Sequence, residues 1–126
     1  MSGIDPAVLS QIDQLQIRYV GALDRKDMQG WLETFSEQAD ASYVCMTAEG
    51  VAAGLPVALM LDDCRGLLED RVTFVTKIWT GTYQEYQTRH MVQRFECKAA
   101  GAGRYEVRSS FVIAYKIGRA SCRERV

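Results

Sequence analysis

A single histidine stands in these 126 residues. That excludes a multi-histidine iron site within the chain, because such sites set two or more imidazoles on one metal. The four cysteines, Cys45, Cys64, Cys97 and Cys122, are separated by 19, 33 and 25 residues. None has the spacing of a metal knuckle, and a Rieske centre is excluded on the same ground. They read as reduced thiols of a cytoplasmic protein. An excess of one charge sign is also missing. Lys+Arg number 15 against 16 Asp+Glu, for a net charge of -1. Without a basic run there is no electrostatic footprint for nucleic acid. No apolar stretch reaches the roughly 18 residues of a membrane span. Met1–Pro6 lacks the charged start and apolar run of a signal peptide. With 48% hydrophobic and 25% charged residues, the composition is that of one soluble globular domain.

What is present has clear periodicity. Asp5-Pro6 suits a helix start, with Asp as N-cap and Pro in the first turn. Val8, Ile12, Leu15, Tyr19 and Leu23, widened by Leu9 and Val20, predict an amphipathic helix over 6–24. Asp27 is placed to cap a short second helix carrying Trp31, Leu32 and Phe35. Ala41–Met46 reads as a strand and Thr47–Gly54 as a small-residue loop. Leu55–Leu61 reads as a second extended segment, broken near Pro56. Asp62 or Asp63 is positioned to cap a third helix to about Lys77, with Leu67, Leu68, Val72 and Val75 inward. Ile78–Tyr86 is an aromatic-rich loop. Thr88–Cys97 and Arg104–Lys116 read as two strands of a hairpin through Gly101 and Gly103. In the second strand Tyr105, Val107, Ser109, Phe111, Ile113 and Tyr115 share one face. Helices come first and strands follow, so the fold class is α+β, with N-terminal helices packed on a curved, mainly antiparallel sheet.

The last ten residues, Ile117-Gly118-Arg119-Ala120-Ser121-Cys122-Arg123-Glu124-Arg125-Val126, resemble the translation of a short-read sequencing adapter. Reverse translation allows ATC GGA AGA GCG TCG TGT AGG GAA AGA GTG. The expected organisation is one α+β domain over residues 1–116, lacking its last strands, and an artefactual tail over 117–126. The strand ending at Lys116 would then carry an open edge, and an exposed apolar edge pairs readily with other chains.

Few residues are candidates for chemistry. His90 beside Asp24 or Asp63 would make a general base in a pocket, or it is a histidine hydrogen-bonded within the sheet. Glu69, Asp70 and Arg71 form an acid/base cluster, a solvated face or an intersubunit ion-pair patch. Trp79, Tyr83 and Tyr86 suit a stacked ligand or a protein interface equally.

The block Asp62-Asp63-Cys64-Arg65-Gly66-Leu67-Leu68-Glu69-Asp70-Arg71-Val72, with Thr88-Arg89-His90 and Val107-Arg108-Ser109-Ser110-Phe111, resembles the small (beta) subunit of aromatic-ring-hydroxylating dioxygenases. Trp31-Leu32-Glu33-Thr34-Phe35 fits the second helix of that family. The resemblance implies a cone-shaped fold similar to nuclear transport factor 2 and ketosteroid isomerase. It implies a large (alpha) subunit partner, often as α3β3, that carries a Rieske [2Fe-2S] cluster and a non-haem Fe(II). It implies no catalytic, cofactor or metal residue in this chain, and an aromatic acid such as anthranilate, salicylate or benzoate as the substrate of the complex. The alternative of another class is a stand-alone isomerase, dehydratase or cyclase of the same fold, using His90 with Asp24 or Asp63. A closed apolar pocket around His90 with a carboxylate in reach would favour the enzyme.

Overall fold

The computed structural model describes residues 3–54, 60–78 and 86–117. These form two compact units, residues 1–31 with 84–126 and residues 32–83. The mix of helices and antiparallel strands is the expected α+β class.

In the first unit, α1 spans Pro6–Arg25. Asp5 is its N-cap, accepting from the Ala7 N–H at 2.9 Å, and Pro follows in the first turn. Lys26 ends the helix at φ 59, the left-handed C-cap conformation that frees its N–H for the last carbonyls. Asp27 then accepts from Gly30 N–H at 3.0 Å at the start of α2, Met28–Leu32. That helix carries the buried Trp31, and Tyr19 of α1 packs on its ring at 6.0 Å between centroids. Tying α2 to its cap and to an aromatic contact is how so short a helix persists despite Gly30.

The strands of this unit are longer than the sequence suggests. They run over Tyr86–Gly101 and Arg104–Ile117, here β3 and β4, and pair antiparallel from Tyr86↔Ile117 to Gly101↔Arg104. The turn is therefore tighter than a Lys98–Gly103 connection. Gly101 at φ 134 and Gly103 at φ 70 supply backbone conformations that side chains disfavour. Gly103→Ala is expected to lower stability by about 1 kcal/mol, read as a shifted denaturation midpoint with unchanged slope.

The sheet face is set by a bulge. The register shifts between Arg94 and Glu96, so Phe95 is the extra residue. Before it, the even residues Thr88, His90 and Arg94 face α1 with Ser109 of β4. After it, Glu96 and Lys98 fall on the opposite, outer face, where Glu96 meets Lys98 at 3.2 Å and Arg108 at 3.4 Å. One added residue inverts the inward set, since side chains alternate with period two.

In the second unit, β1 (Tyr43–Cys45) and β2 (Met60–Asp62) pair antiparallel, with Tyr43 opposite Asp62. Between them lies α3, Ala48–Ala52. The sequence had predicted a loop there. Thr47 turns it into a helical turn by accepting from Gly50 N–H at 2.9 Å, an N-cap that the small, weakly helical residues hid. Helix α4 runs Arg65–Thr73 and continues as a π-helical turn over Phe74–Ile78, with Leu68 and Val72 buried. Its N-cap position is taken by Cys64, without a side-chain cap bond. Neither Asp62 nor Asp63 caps it, because Asp62 is committed to Arg71. Phe35 packs edge-on against Tyr43 at 6.5 Å. Part of the predicted segment 55–61, the loop aromatics Trp79 and Tyr83, and the tail from Gly118 onward lie outside the described residues.

Candidate functional site

The polar residues of α1 build the site. Helical spacing puts Asp13, Gln16 and Asp24 on the side that meets the sheet. Asp24, in the last turn, is the most heavily bonded. Its Oδ1 accepts from Thr88 Oγ1 at 2.9 Å and lies 2.6 Å from His90 Nδ1, while its Oδ2 accepts from the His90 backbone N–H at 3.0 Å. A backbone N–H lies in the plane of its sheet, so Asp24 reaches over to the edge of β3 that faces away from β4. Both side chains are largely enclosed, at 13% exposure for His90 and 17% for Asp24.

Burial raises the Asp24 carboxyl, but the hydrogen bonds from His90 and Thr88 together outweigh it and hold the group below its ordinary value. With Asp24 ionised, the His90 Nδ1–H donates to it, and in the neutral ring that leaves Nε2 as the acceptor. That tautomer is the arrangement of a carboxylate-oriented base. Of the sequence candidates, His90 and Asp24 are thus brought together. Asp63 stands exposed in the second unit, between β2 and α4.

Two clefts flank α1 and β3. One, of about 240 Å³, is lined by Asp13, Gln16, Ile17, Val92, Gln93 and Arg94. The other, of about 460 Å³, lies between the N-terminal residues Gly3, Ile4 and Leu9 and the stretch 94–99 of β3. Neither is lined by His90. Arg94, which lines both, is clamped by Asp13 through a two-pronged pair at 2.8 and 3.2 Å. The hydrogen bond from Arg94 holds the Asp13 carboxyl below its ordinary value. Gln16 Nε2 donates to Ser109 Oγ at 2.6 Å.

The charge cluster of α4 resolves into separate pairs. Arg65 bonds Glu69 at 3.0 Å, one turn apart on the exposed face. Arg71 clamps the buried Asp62 with two nitrogens, Nε on Oδ2 and Nη2 on Oδ1. That bond raises the Arg71 guanidinium further. Burial, with the neighbouring Cys45 and Asp62, pushes the Tyr43 phenol up against the opposing pull of Arg71. Asp70 is exposed.

Thr88, Asp13, Gln16 and Asp62 were not singled out by sequence reasoning as members of these ties. The available signal was positional: Thr88 and His90 are two apart on a strand, and Asp13, Gln16 and Asp24 follow a helical line beside the apolar stripe. Cys45, Cys64 and Cys97 are free and half-buried. Among the described residues no group of three or more His, Cys, Asp or Glu converges as a metal site, and no helix is long and apolar enough to cross a membrane.

Comparison with known proteins supplies the context. The chain matches the model of the ring hydroxylating beta subunit family over residues 18–122. It is 32% identical over 103 residues to the anthranilate 1,2-dioxygenase small subunit of Burkholderia cepacia, covering 82% of this chain and 62% of that protein. The chain thus spans less than two thirds of the length of this curated relative. The crystal structure of the beta subunit of a putative aromatic-ring-hydroxylating dioxygenase from Novosphingobium aromaticivorans superposes with a TM-score of 0.72 at 25% identity, covering 90% of this chain and 74% of that one. The beta subunit of benzoate 1,2-dioxygenase from Burkholderia mallei shares the fold, with a TM-score of 0.61 at 22% identity over 91% and 80% of the two chains. By sequence, the chain belongs to the ring hydroxylating beta subunit family.

Proposed function

We propose that this chain is a structural and assembly subunit of a multicomponent aromatic-ring dioxygenase in the cytoplasm. On this reading it works beside a large subunit that holds the Rieske [2Fe-2S] cluster and the non-haem Fe(II), in an α3β3 assembly that acts on an aromatic acid. The observation that carries the reading is the family match over residues 18–122, together with the similarity to an anthranilate dioxygenase small subunit. The internal ties support it: Asp13, Asp24, Asp62, Arg71, His90 and Arg94 are each engaged in holding helix to strand. The chain contributes shape and contact surface, and the oxidation belongs to the partner. We further propose that residues 1–116 are the native folded part and 117–126 a foreign tail, although β4 runs on to Ile117 and the family match to residue 122.

Co-expression with a ring-hydroxylating dioxygenase large subunit from the same source tests the proposal. The two are expected to co-purify, and ring hydroxylation is expected to need both. A large subunit that is fully active alone and never retains this chain would defeat the reading.

A second reading has one specific observation behind it. His90 and Asp24 are 2.6 Å apart, the geometry of a general base in a stand-alone isomerase, dehydratase or cyclase. His90→Gln separates the two. Under the subunit reading the variant chain still binds the large subunit and the complex keeps its activity; under the enzyme reading a turnover by the isolated chain falls by about 10²–10⁴-fold.

A further inference from the structure

Among the described residues β3 pairs with β4 alone, so its other edge meets no strand. The direction of its backbone groups follows from Asp24. The His90 N–H points to Asp24 and away from β4, so His90 and Ile113 form a non-hydrogen-bonded pair. Such pairs alternate with hydrogen-bonded ones along an antiparallel ladder. Tyr86, Thr88, His90, Val92 and Arg94 therefore send their N–H and C=O groups to that edge. A row of this kind is a template for pairing with another chain. Helix α1 does not seal it throughout. The cleft of about 240 Å³ lies between Asp13, Gln16 and Ile17 of the helix and Val92, Gln93 and Arg94 of the strand, and Ile17 is 63% exposed there.

We propose that Asp24 is an edge guard: its carboxylate takes the place of an added strand on the His90 amide and closes β3 to strand addition. Oδ2 lies 3.0 Å from the His90 nitrogen, where the carbonyl oxygen of a neighbouring strand would sit. Oδ1 is held by the Thr88 hydroxyl and the His90 ring, so two side chains of the same strand fix the carboxylate on its edge. The guard stands in the middle of the row. Tyr86 and Thr88 remain on one side and Val92 and Arg94 on the other, each a stretch of about three residues, short of the five or six of an ordinary strand. Beyond Arg94 the bulge at Phe95 breaks the regular ladder, a second device that blunts an edge. Asp13 and Asp24 are about 16 Å apart along α1, and His90 and Arg94 about 13 Å apart along β3. The helix therefore runs along the strand, and its two carboxylates meet β3 at both ends of the stretch around Val92. An arriving strand would have to expel Asp24 from three donors and leave its charge enclosed without partners. The His90–Asp24 pair thus has work in the fold that needs no turnover.

Hydrogen exchange and sedimentation velocity of the full chain test the proposal. In the unaltered monomer the His90 amide is expected to exchange at least about tenfold more slowly than the Val92 amide, since both point to the same edge and only the first is held. That contrast decides the matter even if a variant fails to fold. Asp24→Ala is expected to self-associate at concentrations about tenfold or more below those the unaltered chain needs, with the Val92 amide slowed in the associated form. Asp24→Asn keeps an oxygen for the His90 amide and is expected to behave as the unaltered chain. Adding Val92→Pro to Asp24→Ala separates strand addition from clumping of unfolded chains. The Val92 N–H bonds nothing in β4, so proline removes no ladder bond there. It does deny a donor to an arriving strand, and the double variant is expected to return to the association of the unaltered chain. The proposal is overturned by a His90 amide as fast as that of Val92, or by an Asp24→Ala chain that associates no more readily than the unaltered one. Association of folded Asp24→Ala chains that Val92→Pro leaves in place overturns it too. So does a Val92 amide already slow in the unaltered monomer, which would assign the edge to another segment of the same chain.

Discussion

Replacing Arg71 by methionine is expected to lower the stability of the chain by about 3–5 kcal/mol, the usual cost of leaving one member of a buried ion pair without its mate. Asp62 is 6% exposed and its two oxygens are both held by Arg71. Methionine keeps much of the packing of the arginine stem but offers no donor, so the carboxylate stays enclosed beside the Tyr43 ring, its register partner. The measurement is the denaturant midpoint of Arg71→Met at neutral pH. The double variant Asp62→Leu/Arg71→Met should recover most of the loss, since it removes the unpaired charge with its partner. If the single variant costs under 1 kcal/mol, the pair does not hold α4 to β2.

Asp24→Ala is the second large effect. It strips the acceptor from Thr88 Oγ1, the His90 N–H and the His90 ring at once. Each enclosed donor left without an acceptor costs roughly 1–3 kcal/mol, so about 3 kcal/mol or more is expected in total. Asp24→Asn should lose less, because its side-chain oxygen still accepts one of the three. The pH dependence has a definite sign. The carboxyl of Asp24 is lower in the folded chain than in the unfolded one. Its contribution is therefore fully present above the unfolded value of about 4 and is lost as pH falls through the folded value. Asp24→Asn should flatten the acid limb of stability below about pH 4, with little change in slope between pH 5 and 8. An unchanged acid limb would mean that Asp24 ionises alike in both states.

Much of the fold was legible because periodicity and end signals are local. Asp5-Pro6 and the apolar repeat from Val8 to Leu23 delimit α1 to within a residue or so. Gly101 and Gly103 mark the hairpin, and the alternation of β4 assigns Ser109 to the helix side. The helix of Ala48–Ala52 was hidden, because its stability comes from one Thr47 hydrogen bond rather than from the propensity of its small residues. The role of Asp62 was misjudged for a different reason. An aspartate before an apolar run is equally a cap or a buried ion-pair member, and the choice depends on where Arg71 falls across the packed surface.

The site divides along the same line. His90 was recognisable as the one imidazole, and Asp24 as one of its two candidate carboxylate partners. Sequence alone left Asp24 and Asp63 equivalent, since they lie 66 and 27 residues from His90 and a contact at such separation leaves no local trace. Tertiary structure decided for Asp24, by laying the last turn of α1 on the edge of β3. It also decided the bulge at Phe95, which no composition marks and which turns Glu96 and Lys98 outward. Local chemistry determined the elements and the family-bearing segments. Which polar groups meet was determined by packing, because an enclosed carboxylate takes whichever donors the register of helix on strand brings within about 3 Å.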